Sequence, residues 1–318
     1  MKNKLSIQEE YIMSIIPERF NALAAIDVQL ENINLAIARH QEGKAAILQN
    51  DSAYYDERKD LQEANAYYAE IDFSDSGNVQ KQMHDLISRT HTAQLRYDPS
   101  EYVYPWVDLQ PDGTLKSIYS GRNKEVEDVL QEDYTAAAKR KGEIELLKEE
   151  NGQLGSQLTR IANQFKFNCE HVVPQSWFDE KEPMRGDLHH LFTCEPVCNS
   201  IRSNYHYHDF KDYSPEDAGI SKVTTGCGKA ENHLFEPEYA KGIVARAMLY
   251  FFLRYKDAAI QAPGDGINRE TLLRWHEEFP VSLYEQHRNQ AIYAMQGNRN
   301  PYIDFPQHAE IFSKLTYE

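Results

Sequence analysis

The sequence predicts an α+β fold: a mostly helical domain that encloses one short strand, loop, strand and helix unit, preceded by a helical N-terminal segment. Three observations carry that expectation. Leu23, Ile26, Leu30, Ile33 and Ile37 recur at alternating intervals of three and four, which aligns them on one face of a helix. KGIVARAMLYFFLRY, residues 241–255, is so continuously apolar that it reads as a buried central helix. Between these, CEHVVPQSWF (169–178), DLHHL (187–191) and CNSIRSN (198–204) read in order as strand, strand and helix. The chain divides on this reading into a segment 1–78 and a main domain 79–318, with a helical insertion at about 125–166.

Taken in chain order, Pro17 and Glu18 suit the first turn of the N-terminal helix and Gly43 offers a stop. In YVYPWVDLQPDGTLKSIYSG (102–121), Pro111, Asp112 and Gly113 mark a turn between aromatic and β-branched segments, so a hairpin or irregular arm is expected. A second helical stripe follows at Ile144, Leu147, Asn151, Leu154, Leu158, Ile161 and Phe165. The two stripes either pair as a helical hairpin, within the chain or across a homodimer, or lie separately on the core as amphipathic helices. QGNRNPYIDFP (296–306) has two prolines and many polar groups, and reads as an ordered loop over the core.

Composition narrows the function classes. Of 318 residues 41% are hydrophobic and 26% charged, as in a soluble globular protein. The net charge is −16, so any surface that binds phosphates must be local or built around a cation. No run reaches the ~18–20 apolar residues of a membrane span. The opening MKNKLSIQEEYIMSIIPERF breaks its apolar run with Gln8, Glu9 and Glu10, which is weak for a secretory signal, and a cytosolic location is expected. Cys169, Cys194, Cys198 and Cys227 all fall within 59 residues. They could hold a structural zinc ion, remain buried thiols, or form a disulfide, which a cytosolic setting disfavours.

Chemistry concentrates in the strand and helix unit. Glu170 and His171 are adjacent, so on a strand they face opposite sides unless the strand ends there, as Pro174 suggests. Gly186 marks a turn before DLHHL, in which His189 and His190 alternate, and His190 is the one expected to support the site, with Asp187. Asn199, Arg202 and Ser203 share a helical face. A neutral imidazole can take a proton from water. Glu170 and the Asn199 amide offer hard oxygens suited to magnesium, and Arg202 or Arg185 can hold a phosphate oxygen. Phosphodiester hydrolysis fits this set.

EHVVPQSWF, DLHHL and CNSIRSN, in this order, resemble the bacterial endonuclease I family of the His-Me finger (ββα-metal) nucleases. The likeness extends to LKSIYSG (115–121), FEPEYAKGIVARAMLYFFLRY (235–255) and GNRNPYIDFP (297–306), about the last two-thirds of the chain. The resemblance implies a ββα-metal motif and a weakly specific endonuclease acting on DNA, and on RNA as an alternative, with one magnesium ion and 5′-phosphate products. It also implies His171 as general base, Glu170 and Asn199 as metal ligands, and His190 as a supporting residue. The N-terminal segment and the insertion are departures from the family pattern. The rival reading is a catalytically idle interaction protein that uses its helical stripes to bind a partner.

Overall fold

A computed structural model describes residues 7–147, 154–213, 226–256, 258 and 267–313. The first helix, α1, runs from Ile7 to Gln49, passing through both Pro17 and Gly43 rather than starting and stopping there. Gly43 serves instead for close approach, since a methyl group at this position would lie 2.8 Å from the Trp106 indole. After α2 (Glu57–Tyr67) and α3 (Val79–Thr90) comes α4 (Pro99–Tyr102), which continues into a π-helical turn, Val103–Val107. The arm expected over 102–121 is therefore helical in its first half. Asp98 explains this: its carboxylate caps Glu101 N at 3.1 Å and Pro99 follows as the first helical residue. The second half is turns around one short strand, β1 (Leu115–Lys116), which pairs antiparallel with β2 (Asn123–Lys124) just beyond the stretch.

The inserted stripe forms two helices, α5 (Val126–Leu146) and α6 (Leu154–Gln164); Asn151 of that stripe lies outside the described residues. α5 runs antiparallel to α1. Arg19 donates to Glu145 O at 2.9 Å, Lys141 pairs with Asp27 at 2.6 Å, and Lys44 pairs with Glu125 at 3.5 Å. Between these ties Ile26 packs with Ala137, Ile144, Ile161 and Phe167, while Leu23 and Leu30 lie against the same cluster. The first part of the N-terminal stripe is thus covered within the chain by the insertion. Farther along α1, Ala36 and Ile47 join a second cluster with Tyr54, Val103, Leu188 and Ile292. Tyr68 enters the largest core, so residues beyond α1 but before position 79 are built into the main body.

That largest core surrounds α8 (Lys241–Arg254), as its apolar run predicts, and draws in α3, α9 (Arg269–Glu278), Trp177, Phe178 and Phe312. Upstream of α8 stand β3 (Cys169–His171), β4 (Leu191–Thr193), α7 (Pro196–Arg202), β5 (His206–Tyr207), β6 (Gly228–Glu231) and β7 (Leu234–Pro237). β5 pairs parallel with β7 and β6 antiparallel with it. DLHHL is not a strand: Leu188–His190 make a 3-10 turn, with Asp187 capping His189 N at 3.1 Å, and the strand begins only at Leu191. After α10 (Leu283–Gln296) the tail holds α11 (Pro301–Asp304) and α12 (Ala309–Phe312). Asn298, Arg299 and Asn300 are buried, so this stretch is part of the core rather than a loop over it.

Candidate active site

β3 and β4 form a two-stranded antiparallel sheet, in register Cys169 with Thr193, Glu170 with Phe192 and His171 with Leu191. α7 follows β4 directly and returns over β3. Alternation along β3 gives Glu170 and His171 different neighbours. Glu170 is 2% exposed. Its Oε1 accepts from the Tyr119 hydroxyl at 2.7 Å and lies 3.3 Å from Arg202, leaving Oε2 for another ligand. Burial pushes its carboxyl up to about 7, against the opposing pull of Arg202 and Tyr119.

His171 ends the strand. Its Nε2 lies 3.0 Å from the Arg185 carbonyl. A carbonyl can only accept, so Nε2 carries the proton and the neutral ring keeps its lone pair on Nδ1. The ring sits 4.7 Å from Tyr97 and 5.3 Å from His190, centroid to centroid. Burial, then His190, holds the imidazole well below its ordinary range, outweighing the Arg185 carbonyl. This is therefore a neutral imidazole at physiological pH, in the protonation state a base requires.

Asn199 lies on α7, and its Nδ2 donates to Cys169 O at 2.9 Å. With Nδ2 donating to the strand, Oδ1 is the amide's acceptor atom. Arg202 lies one turn further on but is 1% exposed. It donates to Val172 O at 2.6 Å, to Ser203 O at 3.2 Å and to His171 O at 3.5 Å. That guanidinium braces the end of β3 from inside. Arg185 is the half-exposed arginine: Gln175 Oε1 accepts from its Nε at 2.9 Å and the Tyr97 ring lies 5.3 Å below it. Gly186 beside it fits only because it lacks a Cβ, which would lie 1.8 Å from Leu95 O.

His190 Nε2 donates to Met184 O, 2.6 Å away, and the ring packs between His171 and Phe251. His189 points instead to Tyr250 and Asn298. Asp187 is fully buried, receiving the Tyr250 and Tyr255 hydroxyls at 2.9 Å each and Gln296 at 3.1 Å. Its role is to hold the turn that carries His190. Tyr119 and Tyr97 escaped the sequence reading. Tyr119 lies in the quoted LKSIYSG, where only its place in the motif hints at it, and Tyr97 carries no signal.

The cysteines correct an expectation. Cys198 and Cys227 form a disulfide, whereas Cys169 and Cys194 are separate buried thiols, so these four do not make a thiolate zinc site. Among the described residues, no group of three or more His, Cys, Asp or Glu side chains is arranged to hold a metal. What remains is one carboxylate and one amide oxygen on neighbouring elements, a donor set that suits magnesium, which keeps several waters.

The family model for Endonuclease I matches residues 76–307, which include this sheet and helix. The chain belongs to the endonuclease I family. It is 30% identical over 159 residues to an extracellular deoxyribonuclease of Aeromonas hydrophila, covering 44% of this chain and 66% of the relative. It is 31% identical over 161 residues to an extracellular ribonuclease of Bacillus subtilis (strain 168), covering 45% and 53%. A periplasmic deoxyribonuclease of Aeromonas hydrophila is 30% identical over 160 residues, covering 44% and 63%. The matches span about half to two-thirds of these relatives. Their names overturn the expected cytosolic location, and the Cys198–Cys227 disulfide agrees with the correction.

Proposed function

We propose that this endonuclease I family chain is a magnesium-dependent endonuclease of ββα-metal type, cutting DNA and RNA with little sequence preference and leaving 5′-phosphate ends. The observation that carries the reading is the tautomer of His171, fixed by the Arg185 carbonyl at 3.0 Å on a strand whose preceding residue is a buried carboxylate. His171 Nδ1 takes the proton from the attacking water. Glu170 Oε2 and Asn199 Oδ1 would hold the magnesium ion. When bound, that ion supplies positive charge to the scissile phosphate and the departing 3′ oxygen. Arg185, rather than the enclosed Arg202, reaches a non-bridging phosphate oxygen, with Gln175 and Tyr97 holding its plane.

The relatives' printed names include a deoxyribonuclease and a ribonuclease, which supports both substrate classes. They also support a protein that works outside the reducing cytosol. Recognition through phosphates predicts weak base selectivity and binding that weakens steeply with salt. The test is incubation of duplex DNA, single-stranded DNA and RNA with magnesium, with and without EDTA. Cleavage of each in magnesium and none in EDTA is expected; cleavage that persists in EDTA overturns the metal assignment, and no cleavage of any substrate overturns the enzyme.

A further inference from the structure

The inserted helix α5 reaches the entrance of β3 through two side chains one heptad apart. Asp133 Oδ1 accepts from Asn168 N at 2.8 Å and from Asn168 Nδ2 at 2.9 Å. Arg140 donates to Phe165 O at 2.7 Å and to Ala162 O at 3.1 Å. Asn168 itself is 1% exposed, and every polar group it owns is engaged. Its Oδ1 accepts from Lys124 Nζ at 2.8 Å and its backbone oxygen accepts from Cys194 N at 2.9 Å. One residue later, Cys169 O takes the Asn199 amide. Two residues later comes Glu170. The peptide between Asn168 and Cys169 is therefore the common base of both proposed metal ligands, one through the strand and the other through a hydrogen bond.

We infer that Asp133 is a positioning residue for the metal site: by fixing Asn168 it holds Glu170 and Asn199 together at the spacing one ion needs. This rests on the proposed metal-dependent reading. Groups that orient metal ligands without touching the ion typically govern metal affinity by ~10–100-fold, so loss of Asp133 shows as weaker metal binding. Tyr104 supplies the internal control. Its hydroxyl donates to the other carboxylate oxygen, Oδ2, at 2.7 Å, so removing it disturbs the same buried carboxylate without releasing Asn168.

Manganese binding to the full chain, followed by electron paramagnetic resonance without nucleic acid, reads the effect directly. Asp133→Ala is expected to weaken binding about 10-fold, whereas Asp133→Asn, which keeps an acceptor for Asn168, and Tyr104→Phe stay within about 2-fold of wild type. Lys124→Met removes a separate tie to Asn168 from a partly buried position on β2. It is expected to weaken binding by a smaller factor, and it answers the question even if Asp133→Ala does not fold. Asp133→Ala or Lys124→Met protein that is folded and binds manganese as tightly as wild type overturns the assignment. Wild-type protein that takes up no manganese overturns the proposed function and this assignment together.

Discussion

At the scale of single residues, two arginines near one strand separate by exposure. Arg202 is 1% exposed and donates to three carbonyls beside Glu170, so it has no face to offer a substrate. Removing one member of a buried ion pair costs about 3–5 kcal/mol. Arg202→Ala is therefore expected to lower the chemical denaturation midpoint strongly, and an unchanged midpoint contradicts the bracing role. Arg185→Ala leaves the core untouched. Losing the charge-assisted phosphate bonds proposed for it, worth ~1.5–3 kcal/mol, is expected to lower kcat/KM about 10–100-fold; full activity in that variant contradicts its place at the phosphate. Sequence spacing could not make this distinction. It put Arg202 on the helical face of Asn199 correctly, but a shared face does not reveal that the face is turned inward.

At the scale of elements, the helices were legible where periodicity was long and uninterrupted. α8 follows its apolar run almost residue for residue, and the α1 stripe is the face that meets α5. Local signals misled where packing won. Gly43 would stop a free helix, but here it lets Trp106 close on the helix, which continues six residues further. DLHHL has strand-like alternation, yet the Asp187 carboxylate turns the backbone back on itself before the strand begins. Cysteine pairing is unreadable from spacing alone because it depends on which elements meet in space. The Cys198–Cys227 bond ties α7, next to Asn199, to the start of the β6–β7 hairpin across a sequence separation of 29. A chain-entropy account gives about 3–4 kcal/mol for a loop of this size. Reduction is expected to lower the denaturant midpoint accordingly, measured with and without dithiothreitol, and equal midpoints contradict that contribution.

At the scale of the whole molecule, the histidines set the response to acid. His189 and His190 are pushed down to about 4 by burial, and His40, His91, His171, His276 and His287 are lowered for the same reason. In the unfolded chain these rings protonate near 6.5. Below that pH the unfolded state binds more protons, so folded stability is complete above about 6.5 and drains away as pH falls toward about 4. The carboxyls of Asp98, Asp133, Glu170, Glu182 and Glu236, all raised by burial, with Asp133 at about 6, act in the opposite sense, but they are fewer than the lowered rings. Denaturation midpoints measured from pH 7.5 to 4.5 should decline steadily; a flat profile contradicts this balance. The motif order placed a strand ending at His171 and a helix through Asn199, but it read residues 187–191 as extended where the strand begins only at Leu191. The supporting frame around this unit, Tyr119, Tyr97 and Asp133, comes from parts of the chain remote from β3 and becomes visible only when the fold brings them together.

In the proposed reaction His171, its tautomer fixed by a backbone carbonyl, makes the nucleophile for phosphodiester hydrolysis. Plasmid nicking in magnesium by wild type and His171→Ala, at matched folded concentrations, tests it most directly. A loss of about 10²–10⁴-fold or more is expected in the variant, with its denaturation midpoint showing a folded protein. Nicking by folded His171→Ala at the wild-type rate would contradict it.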